Sequence, residues 1–136
     1  MDIIILGEPV PQGRPRARRA GNFIQMYDPP KSKQYKKIVS EVAKKQWKHG
    51  ILEGALEVKL DIYRPIPKSV SKKRRKEKES KTIRPIVRPD VDNYAKSVLD
   101  GLDKIVWQDD SQIVSLITNK YYSDNPRVEI SVKQLF

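Results

Sequence analysis

Asp90, Asp92, Lys96, Asp109 and Asp110 are the residues of this chain best suited to chemistry. They fall in one stretch, Arg88 to Gln112, which reads RPDVDNYAKSVLDGLDKIVWQDDSQ. Clustered carboxylates repel one another unless a cation sits among them, and hard oxygen ligands suit Mg²⁺. A bland reading competes with this. Acids at a helix start commonly cap it, and two acids before a strand are often only a solvated turn. Context favours chemistry, because a strongly basic chain gathers its aspartates here. A magnesium site beside a basic surface points to phosphodiester hydrolysis, in which the metal activates water and offsets phosphoryl charge.

A helix must position these groups. Val91, Tyr94, Ala95, Val98, Leu102 and Ile105 recur at helical spacing, and the pattern runs out near Val106–Trp107. Pro89 suits a first-turn position, where no intrahelical bond is lost, and the helix dipole tolerates Asp90 and Asp92 there. Asp92, Lys96 and Asp100 follow at steps of four, so they share the face opposite the apolar stripe. Asp109 and Asp110 come just after the helix. If the chain returns there into a neighbouring strand, this second pair is expected beside the first. Asp100 and Asp103 read as solvated or paired with basic residues, and Gly101 as a close-packing point or a frayed end.

Composition sets the frame. The formal net charge of +11 favours polyanionic partners, although simple nucleic-acid binders share that balance. With no cysteine, disulfides and thiolate-bound zinc are excluded. No run is long enough to cross a membrane, and a cytoplasmic protein is the simplest expectation. His49 is the only histidine and sits at or just past a helix end, which disfavours a histidine general base.

In chain order, residues 2–7 read as a buried strand. PQGRPRARR (residues 11–19) reads as an irregular loop, its prolines and glycine arguing against regular structure. Arg14, Arg16, Arg18 and Arg19 supply forked donors suited to phosphate there. A turn at residues 20–22 leads to a short strand from Phe23 to Tyr27. A helix is expected over about residues 32–48, with Tyr35 and Trp47 in the core. Leu56, Val58, Leu60 and Ile62 alternate with polar residues in the clearest strand. Residues 68–84 form the most basic stretch, containing Lys72, Lys73, Arg74 and Arg75. It has few apolar residues with which to dock, so a flexible arm closing on a phosphate backbone is expected. Ile113–Tyr122 and a strand around Val128, Ile130 and Val132 are expected to form an antiparallel hairpin. The whole predicts one α+β domain over 1–136, a two-layer fold. A mixed or antiparallel sheet of about four to five strands is covered by two main helices.

At the central stretch the sequence resembles the RusA-type Holliday junction resolvases, the crossover junction endodeoxyribonucleases of bacteria and their prophages. The match is Asp90-Val91-Asp92-Asn93, Lys96, then Asp109-Asp110-Ser111-Gln112-Ile113, with GEPVPQGRPRARR similar to the family's opening. The resemblance implies catalytic Asp90, Asp92, Lys96 and Asp110. It implies Mg²⁺ (or Mn²⁺ in its place) held by Asp90, Asp92 and Asp110, with Asp109 as second choice. Asn93 would steady an aspartate. It also implies a homodimer that nicks two strands of a four-way junction symmetrically, in recombination and repair. Two alternatives stand beside it: a broader flap or fork nuclease, and a non-enzymatic basic binder whose acids merely cap a helix.

Overall fold

The computed structural model describes residues 1–135. Its elements are β1 (Asp2–Leu6), β2 (Arg16–Ala20), β3 (Phe23–Tyr27), α1 (Pro30–Gln46), β4 (Leu56–Pro65), α2 (Lys72–Glu79), α3 (Val91–Leu102), β5 (Ile113–Ser123) and β6 (Arg127–Gln134). Four strands form a mixed sheet in the order β1-β6-β4-β5, and β2 and β3 form a separate two-stranded ribbon. The α+β class and the covering by two main helices match the sequence expectation.

The sheet forms where alternation demanded it. Leu56, Val58, Leu60 and Ile62 on β4 point to one face and are fully buried, and β4 holds the centre, antiparallel to β6 and parallel to β5. Tyr35, Val39 and Ala43 of α1 and Tyr94, Ala95, Val98 and Leu102 of α3 cover that face. The second layer is therefore helical, and the opposite face of the sheet mixes polar residues with Ile4, Ile117, Tyr63 and Tyr121.

Three expectations are corrected. The last two strands are not a hairpin, because β4 lies between β5 and β6. Alternation fixes which face a side chain takes but not which strand is its neighbour. The link at residues 124–126 has only to step past one strand, about 10 Å at ~4.8 Å per spacing, within reach of an extended chain. The arginine loop is the second correction: Arg16, Arg18 and Arg19 sit on β2, paired with β3 from Arg16↔Tyr27 to Ala20↔Phe23. Third, α3 stops at Leu102, several residues short of Val106–Trp107. Asp103 to Trp107 instead folds into a turn around Lys104 at φ 67°.

In the basic segment expected as a flexible arm, residues 72–79 form α2. Ser71 caps it by accepting a hydrogen bond from the Arg74 N–H at 3.2 Å. Lacking apolar residues, the segment docks through its cations. Lys78 lies 4.3 Å from the Tyr122 ring centroid, while Lys81 and Arg84 lie 4.5 and 4.6 Å from that of Tyr121. Each such contact is worth about 0.5–1 kcal/mol at an exposed site, and Arg75 adds an ion pair to Asp124 at 2.5 Å.

Gly101 resolves as close packing. A Cβ placed there would stand 2.7 Å from both Cβ and Cγ1 of Val39 and 3.0 Å from the Lys36 carbonyl oxygen. Only glycine lets α1 and α3 cross so closely. Gly101→Ala is therefore expected to destabilise the protein by about 1–3 kcal/mol despite alanine's better helix propensity. Urea unfolding would register this as a lower midpoint at unchanged slope.

Candidate active site

Asp90 occupies the N-cap position of α3, yet its side chain makes no capping hydrogen bond. The bland role for this acid is therefore not the one it fills, and its carboxylate is exposed and free for other work. The chain just before it is pinned by cations. Lys120 donates to the Val87 and Pro89 carbonyls, each at 3.0 Å, and Arg64 donates to the Arg88 carbonyl at 3.2 Å. Asp92 follows, exposed, in the first turn. Asn93 contributes its backbone carbonyl, which accepts from the Gln12 N–H at 2.9 Å.

Lys96 is 3.1 Å from Asp100, one turn further along α3. The opposite oxygen of Asp100 is 3.0 Å from the Lys36 ammonium on α1, and that ammonium also meets Asp28 at 2.8 Å. Hydrogen bonding from Lys36 holds the Asp28 carboxyl below its ordinary range. Burial alone would lower the pKa of Lys36, but its bonds to Asp28 and Asp100 raise it on balance. Asp100, expected to be solvated or paired, is the anion between two lysines.

Asp110 joins this same end of the helix. Its Oδ1 accepts from Trp107 Nε1 at 2.7 Å, and Trp107 itself is fully buried. Burial pushes the Asp110 carboxyl up, Trp107's hydrogen bond opposes the rise, and the negative charges of Asp103 and Asp100 add to it. Asp109 caps the 3-10 turn that follows. It accepts from the Ser111 N–H at 2.9 Å, while Gln112 Oε1 accepts from the Asp109 N–H at 3.0 Å. The backbone and side-chain hydrogen bonds from Ser111 draw its carboxyl below the ordinary range.

Asp110 is thus held by Trp107, within the electrostatic reach of Asp103, Asp100 and Lys96. Ten residues of helix separate Asp90 from Asp100, about 15 Å of rise at 1.5 Å per residue. Among the described residues, no group of three or more carboxylates or histidines stands close enough to hold a metal. The donor chemistry nonetheless suits a hard divalent cation. All the candidate donors are carboxylates, Asp110 is raised among like charges, and Asp103 Oδ1 is buried without a partner.

Basic surfaces flank the acids. A cleft of about 580 Å³ opens beside the start of α3, lined in part by Arg14, Arg16, Lys31, Arg64, Pro89 and Tyr94. Lys31 and Arg64 escaped the sequence reading because nothing in the sequence sets them apart from the other cations of α1 and β4. Lys36, Asp28 and Trp107 escaped it too, since nothing marks one lysine among the many on α1 as the one that pairs with Asp28 and Asp100. On α2, Lys72, Lys73 and Arg74 are exposed, whereas Arg75 is engaged by Asp124.

Exposed carboxylates between cationic walls define a class of protein that handles a phosphodiester backbone. The comparison with known proteins narrows it. Residues 7–133 match the family model described as Endodeoxyribonuclease RusA, and the chain belongs to that family. It is also 43% identical over 133 residues to Uncharacterized protein YqaN of Bacillus subtilis (strain 168), spanning 96% of this chain and 94% of that one. DNA cleavage is the activity for which the family is named. Among the described residues, no helix is long and apolar enough to cross a membrane.

Asp100 holds the Lys96 ammonium at 3.1 Å while anchored by Lys36. Asp100→Asn is expected to slow DNA nicking roughly tenfold, about 1.4 kcal/mol in the barrier, with the KM for DNA unchanged. Single-turnover and steady-state nicking measured side by side would separate the two effects.

Proposed function

We propose that the protein is a divalent-metal-dependent endonuclease that resolves four-way DNA junctions by paired symmetric nicks. One observation carries this reading. Asp92, Lys96 and Asp100 follow at steps of four on α3, with Lys96 paired to Asp100 and the charges of both reaching Asp110, in a chain of the RusA family. Asp90, Asp92 and Asp110 are the proposed catalytic carboxylates and metal ligands, with Asp109 second because it already caps a turn. Among the described residues they form no three-carboxylate group in this structure, so sharing one ion requires the metal or the bound DNA to draw them together.

When bound, Mg²⁺ (or Mn²⁺) supplies an activated water and a counter-charge for the phosphoryl oxygens. The chain's own residues do the rest. Lys96, steered by Asp100, presents an ammonium to the negative charge that builds on the phosphoryl and leaving oxygens. Trp107 fixes one oxygen of Asp110 and leaves the other free. Arg14 and Arg16 in the cleft, Arg18 and Arg19 on the ribbon, and Lys72, Lys73 and Arg74 on α2 hold phosphates away from the cut, with Arg75 a lesser contributor. These contacts set register and not sequence.

A four-way junction is itself close to twofold, which suits a homodimer. The free edge of the sheet supports one: among the described residues, β5 has no strand beyond it. On its helix-facing side Val114 and Leu116 remain exposed, as does Val91 of α3. An apolar edge of this kind calls for a cover, and a second copy would supply it. Light scattering at micromolar concentration is expected to give twice the chain mass for the native protein and the single-chain mass for Leu116→Glu.

Asp92→Asn preserves shape but removes charge. It is expected to reduce Mg²⁺-dependent nicking of a synthetic junction by at least about a hundredfold, as is Lys96→Ala. Junction affinity should hold or rise for Asp92→Asn, since a charge facing phosphate is gone. Equal cleavage by native protein and Asp92→Asn would remove the carboxylates from the mechanism. Equal cutting of flaps and junctions would favour a broader branched-DNA nuclease.

A further inference from the structure

The β2–β3 ribbon places large apolar side chains where no part of the body covers them. Phe23, Ile24 and Met26 are 67%, 71% and 60% exposed. Residues directly opposite in the register share a face, so Ala17, Met26, Arg19 and Ile24 lie together on one side of the ribbon. Phe23 lies opposite Ala20 on the other face, at the tip next to the turn at Gly21, where φ is +63°, so both sides of the ribbon's end are apolar. From Pro9 to Tyr27 the chain carries no acid, and it contributes Arg14, Arg16, Arg18 and Arg19.

An isolated ribbon with exposed hydrophobics is marginal in water and marks a contact surface. The arginines decide what it contacts. Their density and the absence of any acid fit a polyanion, while Phe23, Ile24 and Met26 have nothing to gain from a phosphate. Both demands are met where a duplex opens, because separated bases offer apolar faces between two phosphate backbones.

We propose that this ribbon is a wedge that holds bases apart at a DNA branch point. Phe23, Ile24 and Met26 pack on the unstacked bases, and Arg14, Arg16, Arg18 and Arg19 hold the phosphates of the diverging arms. The proposal rests on the reading of the protein as a branched-DNA nuclease and adds to it the part that recognises the branch. The base of the ribbon is fastened to the helices that carry the site. The Gly13 N–H donates to Ser32 Oγ at 2.8 Å, the Gln12 N–H to the Asn93 carbonyl at 2.9 Å, and Ser97 Oγ to the Val10 carbonyl at 2.6 Å. Gly13 allows the approach, since a Cβ there would stand 2.8 Å from Pro29 Cγ. The wedge and α3 are thereby held at a fixed spacing, which sets how far from the branch the cut falls.

The test uses the full chain and a four-way junction carrying 2-aminopurine at the branch point or, as a control, within one arm. Native protein is expected to raise emission at the branch and not in the arm. The triple variant Phe23→Ser, Ile24→Ser, Met26→Ser should lose that rise. Its preference for junction over linear duplex should fall roughly five- to a hundredfold, the range expected when base stacking is removed. Phe23→Trp supplies a second readout should the triple variant fold poorly: the indole introduced there should be quenched by junction and not by duplex. The proposal is overturned if the triple variant keeps the full rise, if the fluorescence of Phe23→Trp is indifferent to DNA, or if the triple variant turns a dimer into a monomer. Native protein that nicks junctions while branch emission stays flat would end the wedge alone. Native protein that binds no branched DNA would end the functional reading beneath it.

Discussion

The close crossing of α1 and α3 is the constraint on which the rest of the molecule depends. Gly101 has no side chain to hold Val39 away, so the two helices approach until the Lys36 ammonium on α1 reaches Asp100 on α3. The lysine is then shared between Asp28 and Asp100, and Asp100 in turn holds Lys96. A packing contact in the core thereby orients a charged group at the surface. Were the helices an ångström or two further apart, the chain of pairs would open at its middle, and Asp100 would keep only its i,i+4 pair with the exposed Lys96, worth a few tenths of a kcal/mol.

Charge is divided along the same lines. The acids gather on one face of α3 and at the turn after it, while the cations occupy the cleft, the β2–β3 ribbon and α2. A chain of net charge +11 repels itself when compact, and part of that cost is offset by using cations as structure. Lys78, Lys81 and Arg84 lie against tyrosine rings, and Lys120 and Arg64 hold the carbonyls before Asp90. Such groups are unavailable to a ligand. Counting basic residues therefore overstates the binding surface, and the arginines of the ribbon with Lys72, Lys73 and Arg74 are among the cations that stay exposed.

Much of this was legible in the sequence, for physical reasons. Tyr94, Ala95, Val98 and Leu102 announce α3, and Leu56 to Ile62 announce β4, because each buries one face at the period of its element. The acidic constellation was visible because aspartate is conspicuous in a basic chain. Strand order was not visible: β5 and β6 are adjacent in sequence and carry the right alternation, but alternation is silent about neighbours. Arg16 to Ala20 lacks the alternation of a half-buried strand because neither of its faces is buried. The docking of α2 depends on cation–ring contacts, which have no periodic signature. The pairing of Lys36 with Asp100 depends on how two helices cross, and that is settled only in three dimensions.

The central claim is that this acidic helix cuts DNA in pairs at a branch, and a supercoiled plasmid that extrudes a cruciform tests it most directly. Incubated with the protein and Mg²⁺, each plasmid offers one junction, and two symmetric nicks made in one binding event convert it straight to a linear molecule. The account predicts linear product from the earliest times, none without a divalent metal, and none from the same plasmid relaxed. Accumulation of nicked circles as the lasting product, or linear product formed without metal, would contradict it.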